Sequence, residues 1–362
     1  MDRISDSGSD DYGSTPYGDT NHNAILLNVS NMAFLIPSHK HIFCAGRYNS
    51  TFHCNAMKKF LHNNNGYVEQ DCWLPGCWVN IEKPDKDDVS FLIDDLHMPS
   101  DFLDSISDIN ERSRIEHDGE WILTILRVPL KTPQGDSPFT TVPIGIVTNN
   151  EILVTICYHK TELIDDFINF SRCKGLDISQ NADFVLHIMY SATHWYLEYI
   201  QELYKSFRHS SRKLEKSIHN NDLLELQRIQ TTLVYFSTSI KGNETVIGRL
   251  SHIYNNNYDP DLIEDVEIDQ HQADITVDIY SQILDSTLDS FASVISNNVN
   301  EIMKRMTGIS IILMFPTLVA SFFGMNVPLP FSTLKYSYLI IAAASVAISL
   351  VLYKILRRIH WL

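Results

Sequence analysis

Two uncharged apolar runs, close together near the end of the chain, constrain it most. Thr307–Phe323 holds 17 residues without a charged side chain, and Tyr336–Tyr353 holds 18. As helices these measure about 26 Å and about 27 Å at 1.5 Å per residue, close to the ~30 Å hydrocarbon core of a bilayer. Only the 12 residues Gly324–Lys335 join them. Such a pair reads as a helical hairpin in a membrane, where a helix satisfies its own backbone polar groups. Pro316 does not forbid this, because membrane helices tolerate proline. The short flanks set the orientation. Lys304 and Arg305 precede the first run, Lys354, Arg357 and Arg358 follow the second, and the joining loop carries only Lys335. Basic residues stay on the cytoplasmic side. The hairpin therefore places both termini in the cytoplasm, the loop outside, and the chain as a multi-pass protein of the cell (inner) membrane.

Charge is distributed unevenly along the rest of the chain. Lys and Arg number 28 against 44 Asp and Glu, a formal net charge of −16. Nucleic-acid binding needs a basic face to neutralise phosphates, so nucleic acid is not the expected partner. Six cysteines without a CxxC pair read as reduced thiols rather than a disulfide framework. His41, Cys44, His53 and Cys54 are metal-type residues whose spacing fits no standard zinc pattern. Residues 1–56, rich in Ser, Asp, Asn and Gly, read as a poorly ordered extension without a signal peptide.

Residues 57–178 read as mixed α/β. Cys77–Glu82, Trp121–Pro129, Thr140–Val147 and Ile152–Tyr158 have strand character, with β-branched residues between turn-forming ones. Asp85–Leu96, Ser100–Ile109 and Thr161–Phe170 have helical spacing. Residues 179–302 read as helical, over Asp183–His219, over Asp222–Asn255 and from Leu262 onward. The last segment meets no proline until Pro316. A helix from Leu262 to Phe323 would be about 90 Å long, which predicts a stalk or a coiled coil rather than a packing element of a globular domain. The expected fold is thus an α+β membrane protein. It has a cytoplasmic α/β domain, a long helical stalk, spans over 303–323 and 336–353, an external loop over 324–335 and a basic tail over 354–362.

The first span carries a polar stripe. Asn300, Met303, Thr307, Ser310, Met314, Thr317 and Ser321 recur at alternating intervals of three and four, which puts them on one helix face. Two readings suit such a face: close helix packing through small residues, or a pore wall of hydroxyls with methionine constrictions. One hairpin cannot enclose a pore, so the second reading requires a ring of subunits.

The stripe ends at Gly324-Met325-Asn326, just after the first of two C-terminal spans. With Pro316-Thr-Leu-Val-Ala-Ser-Phe-Phe leading into it and Trp361-Leu362 closing a basic tail, this region resembles the CorA family of magnesium transporters. Cys77-Trp-Val-Asn-Ile and Arg112-Ser-Arg-Ile-Glu116 are similar to that family's cytoplasmic domain. The resemblance implies a homopentamer moving Mg²⁺, with Co²⁺ and Ni²⁺ as further ions. The first span would line the pore, and Gly324, Met325 and Asn326 would form the selectivity mouth. Mg²⁺ gives up its water reluctantly, so neutral Asn326 carbonyls can hold the hydrated ion. Gly324 would supply the turn that brings Asn326 to the axis. Met306, off the strict stripe, matches a family gate position about one turn beyond Met303. The loop after Asn326 lacks the acidic residue often found there in the family.

The 54 residues between Arg249 and Lys304 hold eleven carboxylates and no Lys or Arg. A charge run is ordinarily a solvated face, yet facing carboxylates in a ring of helices would attract cations. The resemblance implies that Asp265 binds a regulatory Mg²⁺ and that Asp289 lies near the pore's inner neck. Mg²⁺ is then both substrate and regulatory ligand, with no cofactor. The chain holds no GxxxxGK[ST], HExxH or GxSxG motif, so no catalytic residue and no enzyme activity is expected. Two alternatives are a ZntB-like Zn²⁺ carrier, whose members tend to have Ile at the position of Met325, and a membrane-anchored sensor or enzyme.

Overall fold

The computed structural model describes residues 58–132, 135–216, 219–254, 257–325, 336–359 and 361. The expectation for residues 1–56, including the cluster around His41 and Cys54, lies outside them.

Strands β1 (Lys58–Asn63), β2 (Tyr67–Gln70), β3 (Trp78–Glu82), β4 (Arg114–Asp118), β5 (Trp121–Lys131), β6 (Phe139–Thr148) and β7 (Leu153–Cys157) form one sheet in the order β2-β1-β3-β7-β6-β5-β4. Neighbours are antiparallel except β3 and β7, which pair in parallel with Val79 beside Val154 and Ile81 beside Ile156. Both faces are covered, so the period-two alternation of β5 divides its residues between two cores. Leu123 and Ile125 face the first, with Val79, Ile81, Val154 and Ile156. That core is closed by helix α1 (Lys86–Ser90), its π-helical continuation Phe91–Asp95, and α2 (Ser100–Ser107). Gly145 of β6 is required here: a Cβ on it would stand 2.2 Å from Ile106 Cδ1 of α2.

Leu126 and Val128 face the second core, with Trp78, Val142, Ile144 and Ile146. It is covered by α3 (Glu162–Lys174) and by the sheet-proximal ends of three long helices: α4 (Asn181–Lys216), α5 (Asn220–Ile253) and α6 (Pro260–Phe323). Phe184 and Val185 of α4, Val246 and Leu250 of α5 and Val266 of α6 all belong to it. Packing therefore runs without a break across residue 178. An aromatic cluster anchors this face, with Trp78 Nε1 donating to Thr155 Oγ1 at 2.8 Å and the Trp78 and Phe184 rings 5.0 Å apart.

Away from the sheet the three long helices make their own core, with Tyr196, Leu203 and Phe207 of α4, Leu226, Leu233 and Phe236 of α5, and Ala273, Val277, Leu284 and Phe291 of α6. This corrects one expectation. The first half of α6 is a packing element, because its buried positions Val266, Gln270, Ala273, Val277, Leu284 and Phe291 follow a heptad seam. Gln270, 1% exposed, is the polar member of that seam. Its Oε1 accepts from Thr193 Oγ1 of α4 and its Nε2 donates to the Ile240 carbonyl of α5, both at 2.6 Å. A satisfied polar pair in an apolar seam fixes register, since any slip would leave both groups unpaired. Asp259 caps α6 by accepting from the Asp261 N–H at 3.0 Å, and Pro260 occupies its first turn, where the missing N–H costs nothing.

Candidate functional site: the distal half of α6 and its hairpin partner

Beyond Phe291, α6 leaves the bundle. From Ala292 to Thr307 every residue except Ile295 is exposed. Large apolar side chains then dominate the surface: Met306, Leu313 and Met314 of α6, and Tyr338, Ile340 and Val346 of α7 (Ser337–Arg358), are all more than half exposed. Water would not cover so continuous an apolar surface favourably. Among the described residues, two helices are long and apolar enough to cross a membrane, Pro260–Phe323 and Tyr338–Arg358.

The two spans pack on each other, and the packing face is specific. On α6 the buried and half-buried residues are Gly308, Ile311, Ile312, Phe315, Pro316 and Val319. On α7 they are Ile341, Ser345, Ser349, Leu352 and Leu356. The polar stripe lies elsewhere. Asn300, Met303, Thr307, Ser310, Met314, Thr317 and Ser321 are all exposed, centred about 140° round the helix from the packing face at 100° per residue. Met306 is exposed on the same side. The small-residue contact between the spans thus uses Gly308 with its neighbours and leaves the hydroxyl stripe unused.

The stripe extends beyond Asn300. The same alternation of three and four continues toward the N-terminus through Ser296, Ser293, Asp289, Ser286 and Gln282, all exposed. From Gln282 to Ser321 every position is polar except Met303 and Met314, and Asp289 is the single charge. The signal was present in the sequence; it was obscured because residues before Asn300 lie outside the apolar run. A strict heptad stripe this long faces one axis only if the helices supercoil left-handedly.

Two of the stripe's hydroxyls have a defined polarity. Ser310 Oγ donates to the Met306 carbonyl at 2.9 Å and Thr317 Oγ1 to the Leu313 carbonyl at 3.1 Å. With the hydrogen committed to the helix backbone, each oxygen presents only lone pairs outward.

At the end of α6, Gly324 departs from expectation. It sits at φ −83°, ψ −2°, its N–H bonded to Ala320 O at 2.9 Å. A Cβ there would meet Ala320 and Ser321 carbonyls at 3.4 and 3.6 Å, which is ordinary contact, so this turn draws on no conformational freedom peculiar to glycine. Met325 is 54% exposed. Asn326 lies outside the described residues.

Asp265 is exposed on the first turns of α6. Burial pushes the nearby Tyr190 phenol up, and the charges of Asp269 and Asp265 push it further. The acidic run is less bare than its sequence suggested. Lys241 of α5 approaches Asp274 at 3.4 Å and Asp278 at 3.5 Å, and Gln230 Nε2 donates to Asp285 at 2.7 Å. Glu301 pairs with Arg305 one turn on. Asp289 is exposed on the stripe. Among the described residues, no group of three His, Cys, Asp or Glu side chains stands ready to hold a metal ion.

The sequence model of the family described as CorA-like Mg²⁺ transporter protein matches residues 75–358. The cobalt/magnesium transport protein CorA of Methanocaldococcus jannaschii is 25% identical over 292 residues, 79% of this chain and 91% of that protein. The complete structure of the CorA magnesium transporter from the same organism matches with a TM-score of 0.73 at 22% identity, covering 85% of this chain and all (100%) of that one. The ZntB cytoplasmic domain of Vibrio parahaemolyticus matches with a TM-score of 0.53 at 13% identity, covering 66% of this chain and 98% of that domain. With the α/β domain, the long helices and the paired apolar helices all in place, this chain belongs to the CorA-like Mg²⁺ transporter family.

Proposed function

We propose that this chain is one subunit of a homopentameric channel that passes hydrated Mg²⁺, and with it Co²⁺ and Ni²⁺, across the cell (inner) membrane with both termini in the cytoplasm. One observation carries the reading: the polar stripe of α6 faces away from α7 and lies exposed in the single chain. The outward lone pairs of the stripe residues gain no partner against lipid, so a ring of copies with the stripes turned inward gives them one and encloses a polar path. A hydrated cation turns its water hydrogens outward. Ser310 and Thr317, with their own hydrogens committed to Met306 and Leu313 carbonyls, offer a wall of acceptors to them. Met303, Met306 and Met314 narrow the path. A ring of Asn326 carbonyls forms the outer mouth beside Gly324 and Met325. Asp289, on the same stripe, adds a ring of charge on the cytoplasmic side. Asp265, at the family's stalk position, is a regulatory Mg²⁺ ligand, and such a site keeps several waters on the ion.

A flux panel tests the function. The purified chain in liposomes is expected to admit Mg²⁺ down its gradient without a pH difference, with Co²⁺ and Ni²⁺ entering too. Zn²⁺ entry that requires a proton gradient, with no Mg²⁺ entry, would replace this reading with a ZntB-like carrier. No flux of any of the four ions would leave the hairpin as an anchor.

A further inference from the structure

Pro316 stands in the middle of the first span, between Met314 and Thr317 of the stripe. A proline within a helix has no N–H to close the turn on the carbonyl four residues back, and its ring pushes that carbonyl aside. Here the carbonyl belongs to Ile312. In water the loss would be made good by solvent. Within a bilayer an unpaired carbonyl is costly, and a neighbouring helix, a hydroxyl, a water or a local change in the helix makes the loss good. Ser349 of α7 does so: its Oγ lies 3.4 Å from Ile312 O, donating across the helix pair. The contrast with three other span hydroxyls is informative. Ser310, Thr317 and Ser345 each donate to the carbonyl four residues back in their own helix, whereas Ser349 reaches across to α6. Ile312, Pro316 and Ser349 all lie on the face where the two spans pack, so the bond is built into that packing.

We infer that Ser349 is a positioning residue for ion passage: its hydroxyl caps the Ile312 carbonyl freed by Pro316 and so holds the proline turn of the pore helix against the outer helix. That turn sets the direction in which Met314 and Thr317 face. Without the cap, the carbonyl would gain a partner only if α6 kinked or admitted a water into the helix, and either would move the narrow part of the stripe. The assignment of a transport role rests on the reading of α6 as the pore helix; the bond itself does not.

A double-substitution cycle isolates the bond. Pro316→Ala restores an N–H at position 316 and gives the Ile312 carbonyl an intrahelical donor again. Amide hydrogen exchange of the segment 309–323 is measured on the full-length protein in detergent, alongside Mg²⁺ uptake in liposomes. Ser349→Ala is expected to speed exchange about three- to tenfold, the range set by interhelical hydrogen bonds in membranes, and to reduce uptake severalfold. Ser349→Thr, which keeps the hydroxyl, should behave as the parent, and Ser349→Val should not. In the Pro316→Ala background, Ser349→Ala should change neither measurement. An equal effect of Ser349→Ala in both backgrounds, or no effect on exchange in either, would overturn the inference. Because exchange is read without any transport, it stands even if the flux panel rejects the pore.

Discussion

Asn326→Ala is expected to abolish Mg²⁺ uptake while leaving the assembly the same size. Mg²⁺ sheds water reluctantly and demands well-placed oxygen partners. A mouth that passes the hydrated ion must therefore replace bulk water around its first shell with fixed acceptors. In a symmetric ring one substitution removes that acceptor from every subunit at once. The loss compounds: at about 0.5–1.5 kcal/mol net for each hydrogen bond, a ring of such bonds amounts to several orders of magnitude in rate or affinity. Asn326→Gln keeps the amide but moves it by one methylene, and should retain only a small part of the flux. The assembly should survive because the two spans pack through Gly308 to Val319, all of which precede Asn326 in the sequence. Uptake is read with an Mg²⁺-sensitive dye inside liposomes and assembly by size-exclusion with light scattering. Undiminished uptake by Asn326→Ala would place the selective mouth elsewhere.

The second large effect is expected in the part of the chain that precedes the spans. Limited proteolysis of the full-length protein should cut freely without Mg²⁺ and be suppressed when millimolar Mg²⁺ is added. Asp265 lies exposed near the start of α6, with the Asp269 charge close by. Ions shared between subunits at such carboxylates would cancel their mutual repulsion, and their release would let the subunits separate. Asp265→Lys puts a tethered ammonium where the ion would sit. It should therefore be protected without Mg²⁺, and its uptake should fall because the protected form is the closed one. Lys241, whose ammonium stands between Asp274 and Asp278, offsets part of their charge in a similar way a few turns further along α6. Equal cutting of the parent with and without Mg²⁺ would remove the regulatory role from Asp265.

The hairpin was legible because its signal is one of composition: long apolar runs, basic flanks and a short loop mean the same thing whatever the rest of the chain does. The central strands β3, β5, β6 and β7 were legible for a related reason, since strands covered on both faces are apolar nearly throughout. The strands that escaped notice are the peripheral ones. β2 and β4 are the two edges, and β4 reads Arg-Ile-Glu-His-Asp, with one buried residue in five. Charged edge strands resist unwanted pairing, and that protection removes the alternation by which a strand is recognised. β1 lies inside the sheet, between β2 and β3, but its two lysines and a histidine break the alternation as well.

The long helix misled for a different reason. Its length suggested a stalk or a coiled coil rather than a packing element of the domain, while the heptad of Val266, Ala273, Val277, Leu284 and Phe291 marks a seam, interrupted by Gln270, whose partners Thr193 and Ile240 are distant in sequence. The same distance concealed the partners of the acidic run, Lys241 and Gln230, and the bond from Ser349 to Ile312. Sequence spacing identifies which residues share a helix face. It does not show which other helix supplies what that face lacks. The half of the stripe before Asn300 is the opposite case: the pattern was there at full length, and only the boundary of the apolar run cut it short.

The central claim is that one face of α6 lines the path of the ion, and cysteine accessibility tests it most directly. In a functional background lacking the native cysteines, single cysteines are placed at Ser293, Ser296, Thr307, Ser310, Thr317 and Ser321, and at Ile311, Phe315 and Val319 on the packing face. A membrane-impermeant, positively charged thiol reagent is applied during Mg²⁺ flux. Modification should block flux at the stripe positions and be slowed by excess Mg²⁺, while the packing-face cysteines stay unreactive and flux through them is unchanged. Block at Ile311, Phe315 and Val319 with the stripe positions unreactive would contradict the account, because the ion would then run along the face that is turned toward α7.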